Sequence, residues 1–176
     1  MSGIARCLPY GSYDTGSGYA ECVGQDAPGA DFDSVLNSNA FRRYRFVKNS
    51  SGGALSAAFA LKWKAGKVGQ EVDLPSNGDA ICGYTPYLVN GAVTNTIPDG
   101  AYFWMVEDGP TTVATDGAAI SEGDLVEVGS TDGKIKTAAT ALAANSSVRG
   151  GRAMAAAAAR GTGSQVYVRV NAFCRP

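Results

Sequence analysis

Between Gly100 and Val170 the chain is a succession of short alternating segments, each cut off by an Asp-Gly or glycine turn. Asp99-Gly100, Asp108-Gly109, Asp116-Gly117 and Asp132-Gly133 separate runs such as Asp124–Val128 and Gln165–Val170. In the last of these, Val166, Val168 and Val170 share one face, while Tyr167 and Arg169 share the other. Period-two runs with turns this close together predict a small antiparallel β barrel or sandwich, with an all-β class for the chain. The stretch offers little chemistry. The chain has no histidine, and no nucleophile stands in a recognisable setting. No catalytic residue, cofactor site or metal site is therefore expected.

The 176 residues divide at about residue 40. Residues 1–40 are dominated by Gly, Ser, Asp, Pro and Tyr, with punctuation too frequent for a long regular element. They are expected to form an extended, irregular N-terminal arm. Tyr10, Tyr13 and Tyr19 on this arm have rings that favour burial and hydroxyls that favour water, a combination suited to interfaces. The arm either docks on a neighbouring subunit or folds back on its own body. Residues 41–176 are expected to form the β body. Within it, Phe41–Lys48, the end of Ala54–Lys64, Glu71–Leu74, Ala101–Glu107, Thr111–Thr115 and Lys134–Thr137 read as further strands. Asp108-Gly109-Pro110 is expected to turn the chain between two of them. Arg152–Ala159 suits a short strand between glycines, although its alanines also favour helix.

Charged residues make up 18% of the chain, below the roughly 25% of ordinary globular domains, and they are sorted. Residues 1–40 carry one base and five acids, 41–67 seven bases and no acid, 68–133 eleven acids and no base, and 134–176 seven bases and no acid. Such blocks pair either within one subunit or between subunits.

The four cysteines, Cys7, Cys22, Cys82 and Cys174, lack the spacing of a zinc site. Buried free thiols are expected, with a Cys7–Cys22 disulfide as the alternative. The first residues do not read as a signal peptide, and no apolar run reaches the length of a membrane span. A protein made and kept in a reducing cytoplasm is expected, which gives the sequons at Asn49 and Asn145 little meaning.

Gly129-Ser130-Thr131-Asp132-Gly133-Lys134 looks like a phosphate-binding loop but has three residues between its glycines where four are needed, and it lies between strands. Asp31 and Asp33 form an Asp-x-Asp pair without the rest of a calcium loop. Phe41–Lys48 interleaves Arg42, Arg43 and Arg45 with Phe41, Tyr44 and Phe46 and ends on Lys48, a mixture that can grip single-stranded nucleic acid. On a strand, however, Arg43 and Arg45 fall on one face and Tyr44 and Phe46 on the other, and the chain is slightly acidic overall. Both facts argue against nucleic acid. Arg42, Arg43, Arg45 and Lys48 are instead expected, with the arm tyrosines, to meet a protein neighbour.

Five stretches taken in order, Gly100–Val106, Gly109–Val113, Gly123–Val126, Gly151–Ala155 and Val166–Val170, together resemble the head decoration (cement) proteins of tailed phages and related small phage structural proteins. The resemblance covers about 70 of the 176 residues; the first 95 match nothing. It implies a β-barrel body, frequently a homotrimer, on the outer surface of a capsid. There it would bridge major capsid subunits and stabilise the expanded head, without catalysis and away from membranes. A tail or baseplate component, or a single-strand-binding β domain, are the alternatives.

Overall fold

The computed structural model describes residues 13–33, 38–86, 96–117, 119–138, 151–153 and 165–171, with backbone alone for 17–19, 27–33, 38–41, 151–153 and 165–171. In chain order these form β1 (Tyr13–Asp14), a 3₁₀ helix (Ser17–Cys22), β2 (Asp26–Asp33), β3 (Ser38–Asn49), β4 (Leu55–Ser56), β5 (Ala60–Trp63), β6 (Glu71–Asp73) and β7 (Gly83–Tyr84). Then follow β8 (Thr96–Ile97), β9 (Tyr102–Ala114), β10 (Leu125–Val128), β11 (Ile135–Thr137), β12 (Gly151–Ala153) and β13 (Gln165–Asn171). The class is all-β, as the turn spacing predicts.

β9 is the spine. One edge pairs antiparallel with β3, from Tyr102↔Lys48 to Asp108↔Arg43. Along β9 it also pairs with β1 at Phe103↔Tyr13, with β7 at Val106↔Tyr84, and with β13 from Asp108↔Asn171 to Ala114↔Gln165. The ladder that leaves β9 through β7, β5 and β6 comes back to it through β3. On the other side β13, β12, β10 and β11 follow in order, and a bridge from Ile135 to Thr115 brings β11 back to the end of β9. Several of these joints are only one or two residue pairs long. The sheets therefore fold over one another as a sandwich and do not close into a regular barrel.

The expected turn at Asp108-Gly109-Pro110 is absent, and β9 runs straight through it. Each of the three residues is matched to β13, at Asn171, Val170 and Arg169, so tertiary pairing overrides local turn preference. The tripeptide still leaves its mark. Gly109 takes φ 102°, Pro110 has no N–H to continue a ladder, and the pairing with β3 ends at Asp108.

The described part of the N-terminal arm belongs to the same sheet. β1 adds to β9, and β2 pairs with β3 along its whole length from Asp26↔Arg45 to Asp33↔Ser38. Pro28 is tolerated because β2 lies at the sheet edge. Tyr13 packs against the central core of Val47, Leu61, Val72, Phe103 and Met105. Cys22, completely buried, joins Tyr44, Phe46, Tyr102, Trp104 and Val106 beneath the 3₁₀ helix. In this aromatic layer Phe46 meets Trp104 edge-on at 5.0 Å between ring centroids, a favoured aromatic geometry. A third core, with Ile81, Tyr84, Val113, Val126, Val128 and Ile135, lies towards the C-terminal half of β9.

Candidate functional site

The basic strand and the acidic block meet where β3 crosses β9. Arg43 and Tyr44, consecutive on β3, pair with Asp108 and Val106. Glu107 is thus the extra residue of a bulge, a device that re-aims a side chain. It is aimed at arginines. Arg43 places a terminal guanidinium nitrogen 2.9 Å from Glu107 Oε2, and Arg45 Nε donates to Oε1 at 3.0 Å. The Glu107 side chain is only 8% exposed, against 35% for Arg43 and 21% for Arg45. A carboxylate so buried needs such partners to offset its lost hydration. Arg45 also reaches Asp26 on β2 at 3.1 Å and lies over the Trp63 ring, 5.8 Å from its centroid. Beside it Arg42 Nε donates to the Pro110 carbonyl. Arg43 Nε, by contrast, is buried without an acceptor.

Both oxygens of Glu107 are occupied as acceptors and both arginines are turned inward to it, so the cluster is built as a joint. Other pairs extend the rule. Lys62 meets Asp79 at 2.7 Å, Lys64 meets Asp73 at 3.1 Å and Lys136 meets Glu127 at 3.7 Å. The sorted charge blocks thus meet one another within a single chain at these points. Hydrogen bonding to Lys62, above all, holds the Asp79 carboxyl below its usual range, against the opposing effect of burial.

Of the residues singled out on the sequence, Tyr10 lies outside the described residues. Tyr19 lies on the 3₁₀ helix and Tyr13 is half-buried in the core. Arg42, Arg43 and Arg45 are engaged as above. Lys48 Nζ sits 6.0 Å over the Tyr102 ring. Tyr44 and Phe46 are 3% and 0% exposed, so they present no platform on which bases could stack. Cys22 and Cys82 are buried thiols outside any disulfide, so the disulfide to Cys7 is not formed; Cys7 and Cys174 lie outside the described residues. Sequence reasoning missed Glu107, Asp26 and Trp63; only the excess of acids over residues 68–133 pointed towards the first.

Two further motifs become structural. The loop from Gly129 to Lys134 is the turn between β10 and β11, closed by Gly129 N donating to Lys134 O at 2.7 Å and by Ser130 N donating to Asp116 Oδ2 at 2.8 Å. The sequon residue Asn49 is completely buried. Its Nδ2 donates towards the carbonyls of Gly53, Ile97 and Pro98 at 2.9–3.0 Å, and its Oδ1 accepts from Ser51. It ties the turn after β3 to the turn before β9. Among the described residues no group of three Cys, Asp or Glu side chains gathers as a metal site, and no helix is long and apolar enough to cross a membrane.

No protein-family model matches this sequence, and no curated protein matches it either.

Proposed function

We propose that this protein is a non-enzymatic structural component of a virion, a decoration protein that binds the outer surface of a phage capsid. In this reading it works as an oligomer, with a homotrimer expected, and bridges adjacent major capsid subunits. The observation that carries the reading is the relation among the stretches that resemble cement proteins. All five overlap β9, β10, β12 and β13, two of them on β9, and these strands are consecutive neighbours in one sheet, in the order β10, β12, β13, β9. Motifs scattered over about 70 residues thereby form one structural unit, centred on the spine strand.

The described charges add support. Ion pairs and bulge geometry at Glu107 serve the fold, which leaves surface and edge as the working parts. A clamp of this kind stabilises an expanded shell by binding it in preference to the unexpanded one. Repetition over a symmetric lattice multiplies individually weak contacts.

The test mixes purified protein with expanded, undecorated heads and measures co-sedimentation and the temperature at which heads release DNA. Saturable binding with a rise in that temperature is expected. Absence of binding to expanded heads, or equal binding to unexpanded ones, would overturn the reading.

A further inference from the structure

Six asparagine or aspartate residues stand directly before a glycine: Asn77, Asn90, Asp99, Asp108, Asp116 and Asp132. This dipeptide is reactive as well as turn-forming. With no Cβ on the second residue, its backbone nitrogen can close on the side-chain carbonyl carbon of the first and form a five-membered cyclic imide. Closure needs an accessible side chain and a backbone N–H that is not held elsewhere.

At most of these positions the fold withholds one or the other. Gly100 N donates to the Asn49 carbonyl at 2.9 Å, and Gly133 N donates to the Pro75 carbonyl at 3.2 Å. Asp108 and Gly109 are matched to β13 inside β9. The Asp116 carboxylate accepts from Ser130 N at 2.8 Å. Asn90 lies outside the described residues. Asn77 lacks each of these restraints. It and Gly78 are exposed, and among the described residues no hydrogen bond engages the Asn77 amide or the Gly78 N–H. Gly78 takes φ 94°, with open space where a Cβ would stand. An amide is also the better acyl donor, because ammonia leaves a neutral amide more readily than oxide leaves a carboxylate. Asn49 is the opposite case, completely buried with its Nδ2 on three carbonyls.

We propose that Asn77 is a modification site, at which the chain deamidates itself to aspartate and isoaspartate. The Gly78 nitrogen gives up its proton to hydroxide and attacks Asn77 Cγ. A Cγ–N bond forms, the Cγ–Nδ2 bond breaks, and Nδ2 takes up a proton and leaves as ammonia. One water then opens the imide. Attack at Cγ restores the main chain and leaves an aspartate. Attack at the Asn77 main-chain carbonyl leaves an isoaspartate, whose backbone runs through the former side chain. The turn is closed by Asp79 N donating to the Ser76 carbonyl at 3.0 Å and by Ser76 N donating to Asp79 Oδ2 at 2.8 Å. Isoaspartate inserts one more backbone carbon between these partners, so the closure is strained or lost. The change reaches the turn between β10 and β11 through the bond from Gly133 N to Pro75. Water is the one co-reactant, so the product accumulates with age in any copy that is not replaced. The inference goes beyond the capsid role and does not rest on it.

The experiment ages the purified full chain at mildly alkaline pH, beside the same chain unfolded in urea, and follows both by peptide mapping, which separates Asn77 from Asn90. In the folded chain Asn77 should convert within about tenfold of its rate in the unfolded one. Folding should slow Asn49 by about a hundredfold or more, because its amide is released only when the structure opens. Labelling by an isoaspartyl methyltransferase should appear in the Asn77 peptide, with an acidic isoform in isoelectric focusing. Asn77→Gln and Gly78→Ala should each lower that labelling at least about tenfold, the first by demanding a larger ring and the second by crowding the nitrogen. Thermal melting checks that Gly78→Ala folds, and Asn77→Gln carries the comparison if it does not. Protection of Asn77 by folding as strong as that of Asn49 overturns the inference, as does conversion confined to Asn90. Heads enter neither arm, so the capsid reading stands or falls separately.

Discussion

From Arg43 to Asn49, β3 has neighbours on both edges and buried side chains on both faces. From Ser38 to Arg42 it forms a two-stranded ribbon with β2, its only strand pairing there among the described residues. In the inner half, Tyr44 and Phe46 fill an aromatic layer, Val47 enters the central core, and Arg43 and Arg45 are ion-paired to Glu107. In the outer half, two aspartates on β2 face small neutral residues across the ribbon. The same extended backbone is thus held from both edges at one end and from one edge at the other. What separates the two is β9, which stops pairing with β3 at the bulge of Glu107. Substitutions in the inner half should therefore cost more stability than those in the outer half.

The largest effect expected on the stability side is at Phe46, which is fully buried. Phe46→Ala removes a ring packed on Trp104 and Tyr102 and should cost about 4 kcal/mol in urea denaturation. Asp31→Ala on the ribbon should change the same measurement by less than about 0.5 kcal/mol. Similar losses at the two positions would erase the distinction. Next comes Asn49→Ala, which strips three carbonyls of their donor and frees the turn after β3. A loss of about 3 kcal/mol is expected, seen as a lower melting temperature without change in association. If melting moves by no more than it does for an ordinary surface substitution, the two turns hold together without this amide.

Glu107 ranks third. Glu107→Gln keeps the shape of the side chain and leaves two guanidinium groups beside a neutral amide. Both are partly exposed, so water takes over part of the lost attraction. About 2 kcal/mol is expected, less than for a fully buried pair. The substitution sharpens the comparison, because it should also loosen the root of the ribbon at Arg45 and Asp26. Hydrogen exchange at Ser38–Arg42 should then quicken more than at Val72 or Phe103. Uniform quickening would mean that Glu107 holds the whole body and not this junction.

How much of this was legible depended on whether a feature is local. Gly117 and Gly133 take φ of 103° and 74°, and Asp-Gly alone predicts a turn at both. The alternation of Phe41–Lys48 predicts the separation of Arg43 and Arg45 from Tyr44 and Phe46, which follows from the two-residue period. Glu107 was not legible, because a bulge exists only relative to the partner strand and β3 lies some 60 residues earlier. Asp26–Asp33 reads as irregular through its Pro28 and Gly29; it is a strand because the edge of β3 offers it a ladder. Asp108-Gly109-Pro110 is the same lesson in reverse, a strong local turn signal straightened by β13. The charge blocks announced that pairing would occur and left the choice of partners to the topology.

The smallest effect concerns Asp79 and Lys62. Asp79 closes the turn after β6, with Ser76 N donating to its Oδ2 at 2.8 Å, and Lys62 Nζ sits on the same oxygen at 2.7 Å. Its folded pKa lies below the ordinary aspartate value. A depressed carboxyl stabilises the fold above its unfolded pKa and loses that contribution as pH falls through the folded one. The pair is more than a third exposed at Asp79, so solvent screening keeps its worth below about 1 kcal/mol. Asp79→Asn should therefore narrow the stability gap to the parent as pH drops from about 5 towards 2. A gap that stays constant over that range would show that this ion pair adds nothing to the fold, and a gap as large as the loss at Phe46→Ala would erase the contrast between a strand supported on both edges and a partly exposed turn.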